Sequence, residues 1–423
     1  MNLTGPAGNG LQLIPFRGLR YVPERVSSLA AVTSHPYAAG AGPDGPHHPD
    51  SADPHHIVRL ILPRGATPAA RAEQAAATLR RWLSGGVLAP DPEPALYVCE
   101  QRGEGLMQRG LVGALRLSEP AEGIVHPHEA VMPHVVEDRA GLMRATAAHL
   151  EPLLLAYRGS GGRAGAVIER TVLRPPLVTT TTRDGVSHRM WAVTDPVELA
   201  EIDADLSGRQ ALIADGHHRW ATYLRLRSEQ PRSAAWDFGL VMLVDTDRHP
   251  FQVRAIHRVL RRLPVAEALS AVEGSFRVRP AGASLPAALE ALGAAARDGN
   301  AFLLTGGAGF HLIDRPDPDL LARTVPADRP RAWRALDAAV LHATLLDHLW
   351  KVPDGPRDIA YVHDGRAAVD HARRDGGTAV LLHPVREETV RDLAGEGVTM
   401  PRKSTSFGPK PAAGLVLRSL AHH

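Results

Sequence analysis

Cys99 is the sole cysteine in this chain of 423 residues, and one thiol can close neither an internal disulfide nor a cysteine-based zinc site. It stands in Leu96-Tyr-Val-Cys-Glu100, a short β-like run, where a small buried strand residue is expected rather than a reactive thiol. Neither sign of charge is in excess: 48 basic against 46 acidic residues leave a net of +2 with the histidines neutral. That balance gives no whole-molecule field to gather nucleic acid or an anionic membrane surface, although it is compatible with a local basic patch. No run of about 18 apolar residues occurs, so no membrane-spanning helix is expected. Residues 1–10 lack the basic region and apolar core of a secretory signal. Together these absences predict a soluble, cytoplasmic protein. Lysine is scarce beside arginine, and Ala, Gly and Pro are abundant, as in GC-rich coding.

What is present suffices for a folded core: 44% of residues are apolar and 22% charged. The length exceeds one ordinary core, so two or three sub-domains or one composite fold are expected. Strand-like runs fall at Leu11–Phe16, Ile57–Leu62, the two arms of Ala95–Leu117 around Gly103-Glu-Gly105, Val186–Val193, Ala211–Ala214, Gly239–Val244, Ala301–Leu304, Ile359–His363 and Ala379–Leu382. Helical patterns cover Pro68–Leu83 and Glu137–Tyr157. The alternation predicts a mixed α/β or α+β chain, divided into an N-terminal region 11–157, a central region 166–264 and a C-terminal region 265–423. The Gly-, Pro- and Asp-rich stretch 40–56 reads as open loop. No helix or strand fixes its histidine pairs, His47/His48 and His55/His56, for a metal. Arg158-Gly-Ser-Gly-Gly-Arg-Ala-Gly165 lacks the Gly-Lys-Ser/Thr ending of a phosphate loop and reads as a flexible connection.

The residues that carry chemistry centre on Ala214-Asp-Gly-His-His-Arg219. A buried strand at 211–214, a turn at Asp215-Gly216 and a helix from His217 to Arg227 are predicted, with Trp220, Tyr223 and Leu224 on one face. The first N–H groups of such a helix have no partner within it, and its dipole adds partial positive charge there. Gly216 lets the backbone approach a ligand closely. Arg219 offers a planar bidentate donor, and His217 and His218 can donate to phosphate or move a proton near neutral pH. Spacing alone leaves three readings open: a phosphate site, a structural turn with Asp215 as its N-cap, and a metal site. Adjacent histidines on a helix diverge by about 100 degrees, which makes them poor joint ligands.

Ile213-Ala-Asp-Gly-His-His-Arg-Trp220 resembles the signature of the domain of unknown function 1015 family, and the resemblance runs over nearly the whole chain. Pro15-Phe-Arg-Gly-Leu-Arg20 with Pro36-Tyr37, and Gly123-Ile-Val-His-Pro-His-Glu129 followed by Asp138-Arg139, look like its first blocks. Trp191-Ala-Val-Thr-Asp-Pro196 and Ala255-Ile-His-Arg258 flank the signature. Tyr361-Val-His-Asp364, Met400-Pro-Arg-Lys-Ser-Thr405 and Pro409-Lys410 look like its C-terminal end. The Asp-Gly-His-His-Arg turn is also similar to the Gly-x-x-Arg turn of the ParB/sulfiredoxin superfamily. That likeness implies a nucleotide-binding core within the composite fold. The opening departs from the family's pattern, because Ala38 follows Pro36-Tyr37 where an acid is usual; Glu24, Glu129, Asp138 and Asp364 are the substitutes on offer.

The resemblance implies a nucleotide-dependent small-molecule phosphotransferase, with serine or phosphoserine as candidate substrates and ATP or ADP with magnesium as cofactors. Its chemistry would be positioning and charge neutralisation. In that reading Asp215, His217 and His218 are catalytic, and Gly216, His217, His218, Arg219, Arg258 and Lys403 hold the cofactor. Asp215 is the magnesium ligand, and Lys410 is a further charge neutraliser. The alternative class is a nucleotide-switched binding or scaffold protein with little turnover; a metal hydrolase on Asp215, His217 and His218 ranks last. The expected partners are a nucleotide or phosphorylated small molecule, with nucleic acid disfavoured for want of a basic stripe.

Overall fold

The computed structural model describes residues 10–34, 53–182, 184–231, 233–307 and 309–421. Pro36-Tyr37-Ala38, His47 and His48 therefore lie outside the described residues. Two compact units emerge: Met1–Pro127 with Val131–Phe251 and Pro409–His423, and His128–Ala130 with Gln252–Gly408. Of the regions read from the sequence, 11–157 lies in the first unit apart from 128–130, 166–264 is divided after 251, and 265–423 is divided after 408. The fold is mixed α/β, and no described helix is long and apolar enough to cross a membrane.

The first unit is built on a nine-stranded mixed sheet. Its path runs Val125–His126, Ala211–Asp215, Leu153–Tyr157, Phe238–Asp245, Leu106–Arg116, Leu96–Gly103, Ser187–Val193, Val178–Thr181, and Leu13–Ile14 adds to Leu106–Arg116. Ala211–Asp215 is interior, parallel to Val125–His126 and antiparallel to Leu153–Tyr157. Leu153, Leu155, Ile213, Val241 and Leu243 share one core with Trp220 and Tyr223 from the helix His217–Glu229. A second, four-stranded sheet joins Leu88–Pro90, Gly18–Tyr21, Leu417–Ser419 and Ala148–His149.

The second unit has a six-stranded, wholly antiparallel sheet in the order Arg277–Pro280, His311–Asp314, Ala301–Thr305, Thr378–Leu382, His257–Leu260, Ile359–Val362. Side chains alternate faces along a strand, and here both faces are buried. Phe302, Leu304, Val380 and Leu382 pack with Leu341 and Leu345 on one side; Ala301, Leu303, Ala379 and Leu381 pack with Leu292 and Ala368 on the other.

Two expected elements are corrected. Ile57–Leu62 is no strand but contains the helical turn Val58–Ile61; Ile57, Leu60 and Ile61 are buried together at i, i+3, i+4 spacing. The helix expected over Glu137–Tyr157 spans Pro133–Thr146 and stops where Ala147 takes φ 45°. Leu153–Tyr157 then forms an interior strand, buried at all five positions. A continuous apolar run carries no periodicity, so a buried strand there reads like a buried helix. The glycine-rich stretch 158–165 is also more than a loose connection. Gly159 N–H donates to Asp245 Oδ1 (2.8 Å), Ser160 N–H to Asp247 Oδ2 (2.8 Å) and Ala164 N–H to Asp205 Oδ2 (2.9 Å). The protein's own carboxylates thus take the donors that a phosphate would need.

Candidate functional site

Ala211–Ala214 is buried and Asp215, the last strand residue, is half-buried beside a register shift against Leu154. Gly216 follows at φ 103°, ψ 27°, and occupies the N-cap position of the 13-residue helix His217–Glu229, which no side chain caps. A Cβ at Gly216 would lie 2.9 Å from Leu153 Cγ and 3.1 Å from Arg219 Nη2. The turn can therefore be made this tight only by glycine. Asp215 is not the N-cap that spacing allowed: its carboxylate turns to two cations instead. Oδ2 accepts from Arg219 Nη2 at 2.9 Å, and Oδ1 accepts from Lys410 Nζ, 195 residues away in sequence.

Arg219 is nearly enclosed, with 12% of its side chain exposed. Besides Asp215 it donates to the carbonyls of Pro152 (2.9 Å) and Glu151 (3.3 Å), and its Nη1 stands 3.4 Å from Glu151 Oε1. Its fork is thus spent inside the protein, locking the turn to the start of strand Leu153–Tyr157. Burial alone would push the Asp215 carboxyl up, but Lys410 and then Arg219 outweigh it and hold the pKa below the usual carboxylate range. Asp215 is an ionised group at neutral pH. Burial works against the Arg219 charge, yet Glu151 and Asp215 raise its pKa further.

His217 is buried. His218 Nε2 accepts the N–H of Met132 at 3.0 Å. Gly216, His217, His218, Arg219 and Asp215 stand together, and Lys410, expected as a charge neutraliser, meets Asp215 there. The resemblance of Pro409-Lys410 to the family's C-terminal block is the sequence signal for Lys410; nothing local marks Glu151 or the Met132 amide.

Arg258 and Lys403 belong to the second unit. Arg258 is fully buried on strand His257–Leu260, its guanidinium 5.0 Å from the Tyr361 ring centroid. It bonds His342 Nε2 (3.1 Å) and the carbonyls of Ile256 and Arg402, with no carboxylate at ion-pair distance among the described residues. Burial draws its pKa down to about 10, and burial followed by Arg258 draws His342 down to about 4. The Lys403 N–H donates to Glu129 Oε1 at 3.1 Å, so Glu129 has a structural tie. Of the other substitute acids, Asp364 caps the helix Gly365–Asp375 through the Ala367 N–H, Asp138 faces Arg71 at 3.4 Å, and Glu24 sits exposed on the short helix Pro23–Arg25. Magnesium at Asp215 finds both carboxylate oxygens engaged by cations. Among the described residues no three His, Cys, Asp or Glu stand together to hold a metal ion.

An α/β protein with a strand, a glycine-led turn and an uncapped helix, ringed by Asp215, Lys410 and Arg219, is the class that fold and site define. The family model described as "Protein of unknown function (DUF1015)" matches residues 13–339, and the chain belongs to that family. No protein of curated function matches the sequence. Solved structures similar to the chain include a free serine kinase in complex with ADP, at 15% identity and TM-score 0.36, covering 67% of this chain and 84% of that one. A conserved hypothetical protein from Pyrococcus furiosus is similar at 15% identity and TM-score 0.34, over 67% and 87% of the two chains. C-terminally truncated SbnI from Staphylococcus aureus is similar at 9% identity and TM-score 0.39, over 73% and 88%.

Proposed function

We propose that the chain is a nucleotide-dependent phosphotransferase acting on a small molecule, with the turn at Asp215–Arg219 as its phosphate site. The observation that carries this reading is the meeting of Lys410 with Asp215 at the uncapped, glycine-led N-terminus of the helix His217–Glu229. Helix N–H groups and an ammonium converge there, and an ammonium has three donors, only one of which Asp215 needs. The nucleotide-binding core of ParB/sulfiredoxin type belongs to this proposal, as do serine or phosphoserine as substrate candidates.

Each residue then has a role that its surroundings support. The amides of the first helical turn and Lys410 neutralise phosphate oxygens. Asp215, held ionised, is a weak base, so it orients the attacking hydroxyl and accepts its proton late, as a loose phosphoryl-transfer transition state requires. His218, on the first helical turn, is a donor to a phosphate oxygen; His217 is buried beside it. Arg219 is a positioning residue that fixes Asp215. A resident magnesium at Asp215 would have to displace Lys410, so any magnesium involved would come coordinated mainly by nucleotide phosphates. The γ-phosphoryl group would pass to the hydroxyl oxygen, with the nucleoside diphosphate leaving and the hydroxyl proton going to Asp215 and then to water.

Calorimetric titration of the full chain with ATP, ADP, CTP and phosphoserine, with and without magnesium, tests the reading. Nucleotide should bind at millimolar concentration or tighter, and Lys410→Met should weaken it by about tenfold or more, the scale of one charge-assisted phosphate contact. Absence of binding by the wild-type chain at millimolar nucleotide would overturn the proposal.

A further inference from the structure

The second unit contains a cavity of about 730 Å³ that no part of the reading above uses. Three segments of that unit carry the polar groups used below, and Met400 and Ser404 complete the lining from another. Arg297, Gly299 and Asn300 come from the turn after helix Leu285–Ala295. Ala335 to Ala338 come from the entry to helix Asp337–Val340. His383 to Arg386 come from the loop after strand Thr378–Leu382. The size is that of a small-molecule site.

The charges on these walls are unevenly matched. Neither Arg297 nor Arg386, both on the cavity wall, has a carboxylate partner among the described residues. Among the described residues Asp337 is the one carboxylate that lines the cavity, and no cation there pairs with it. Its Oδ1 accepts from Asn300 Nδ2 at 2.8 Å, and the same amide nitrogen donates to the Ala335 carbonyl at 2.9 Å. Asn300 therefore has one amide hydrogen on the Asp337 carboxyl and the other on the Ala335 carbonyl. Burial pushes that carboxyl up to about 6 against the opposing hydrogen bonds from Asn300 and Ala301. A fixed, poorly solvated carboxyl exchanges a hydrogen bond with a hydroxyl or amine readily, whereas two unpaired guanidiniums select an anion.

We propose that this cavity binds a small organic anion bearing a hydroxyl or amine group, with Arg297 and Arg386 on its phosphate or carboxylate and Asp337 on the hydroxyl or amine. The site is separate from the Asp215 turn in residues and chemistry. Occupation there would make the second unit a ligand-binding module in its own right, independent of whether the first unit transfers phosphate.

Calorimetry on the full chain with three probes tests this: glycerol phosphate, glycerate and inorganic phosphate. Glycerol phosphate or glycerate should bind more tightly than inorganic phosphate, and the doubly substituted Arg297→Ala, Arg386→Ala chain should lose about tenfold or more in affinity. Both arginines are exposed, so that variant should unfold at the wild-type temperature. Asp337→Asn should remove the preference for the hydroxylated probes while leaving inorganic phosphate unaffected. Lys410→Met, which disables the first-unit turn, should change none of this. The proposal is overturned if none of the probes binds at millimolar concentration. Equal affinities in the wild type and the double arginine variant would overturn it as well, and so would binding that Lys410→Met abolishes.

Discussion

Removing Lys410 probes how the turn is held. In Lys410→Met the Asp215 carboxylate keeps Arg219 at 2.9 Å but loses the ammonium on Oδ1. Two unit charges about 3 Å apart attract by about 5 kcal/mol at an effective dielectric of about 20. The exposed fractions of the two side chains, 19% for Lys410 and 24% for Asp215, place the pair between surface bridges, worth about 0–1 kcal/mol, and buried ones, whose breakage costs about 3–5 kcal/mol. A loss of about 2 kcal/mol is expected at neutral pH. Asp215→Asn and the double variant complete a cycle, with an expected coupling of about 1–2 kcal/mol. The pH dependence fixes the sign. Asp215 has a folded pKa below its unfolded one, so the contribution of its ion pairs is fully present above the unfolded value, near 4, and fades as pH falls through the lowered folded value. The difference between wild type and Lys410→Met should therefore shrink in acid. Urea unfolding at neutral pH and below pH 4 reads both effects. Additive single substitutions, or a difference that grows in acid, would refute this account of the turn.

Three other perturbations test separate parts of the structure. Gly216→Ala adds a Cβ 2.9 Å from Leu153 Cγ at a φ of 103°; strain and contact together should cost about 2–4 kcal/mol, read as a lowered thermal midpoint together with weakened nucleotide binding. Asp337→Asn keeps the acceptor that Asn300 uses but removes a carboxylate whose folded pKa, about 6, is raised. A raised carboxyl disfavours the fold as pH climbs through that value. Asp337→Asn should therefore be more stable than wild type by about 1–2 kcal/mol at pH near 8, with the gain vanishing near pH 4, as thermal unfolding at the two pH values would show. Burial pushes the Cys99 thiol up to about 12, so a disulfide reagent at pH near 8 should label nothing in the folded chain and one thiol in urea.

In the second unit Ala301–Leu304 and Ala379–Leu382 were legible because they are apolar throughout and bounded by turns, whereas His257–Leu260, Arg277–Pro280 and His311–Asp314, which carry charged or histidine side chains, were not. Leu153–Tyr157 is equally apolar, but it follows a true helix closely, so the end of that helix was hidden. Ile57–Leu62 misled for the opposite reason. Its apolar residues look β-like until Arg59, which stays exposed, shows that the spacing of the buried ones is helical. The local part of the site was legible too. Asp215, Gly216 and the helix after them follow from six consecutive residues. What Arg219 does was not, because its partners are mostly backbone carbonyls, and a sequence does not show where carbonyls point.

Lys410 shows how composition adds to local pattern. The chain holds 48 basic residues, and Lys351, Lys403 and Lys410 are its only lysines. Where arginine is the default cation, a charge needed only for solubility or for a surface ion pair is expected to be arginine, as it is at Arg144, Arg225 and Arg277 in their bridges. A lysine held against that bias points to a task the guanidinium does poorly. Arginine presents a rigid planar fork that commits its donors in one plane, while an ammonium is a compact charge whose three donors can be shared between an aspartate and an anion arriving from another direction. At Asp215 both kinds of cation are present: the fork of Arg219 is locked to Asp215 and two carbonyls, and the ammonium of Lys410 reaches the other oxygen. The division fits a turn that must keep its carboxylate fixed while leaving one cation able to change partners, which is what a phosphate arriving at the helix N-terminus would demand.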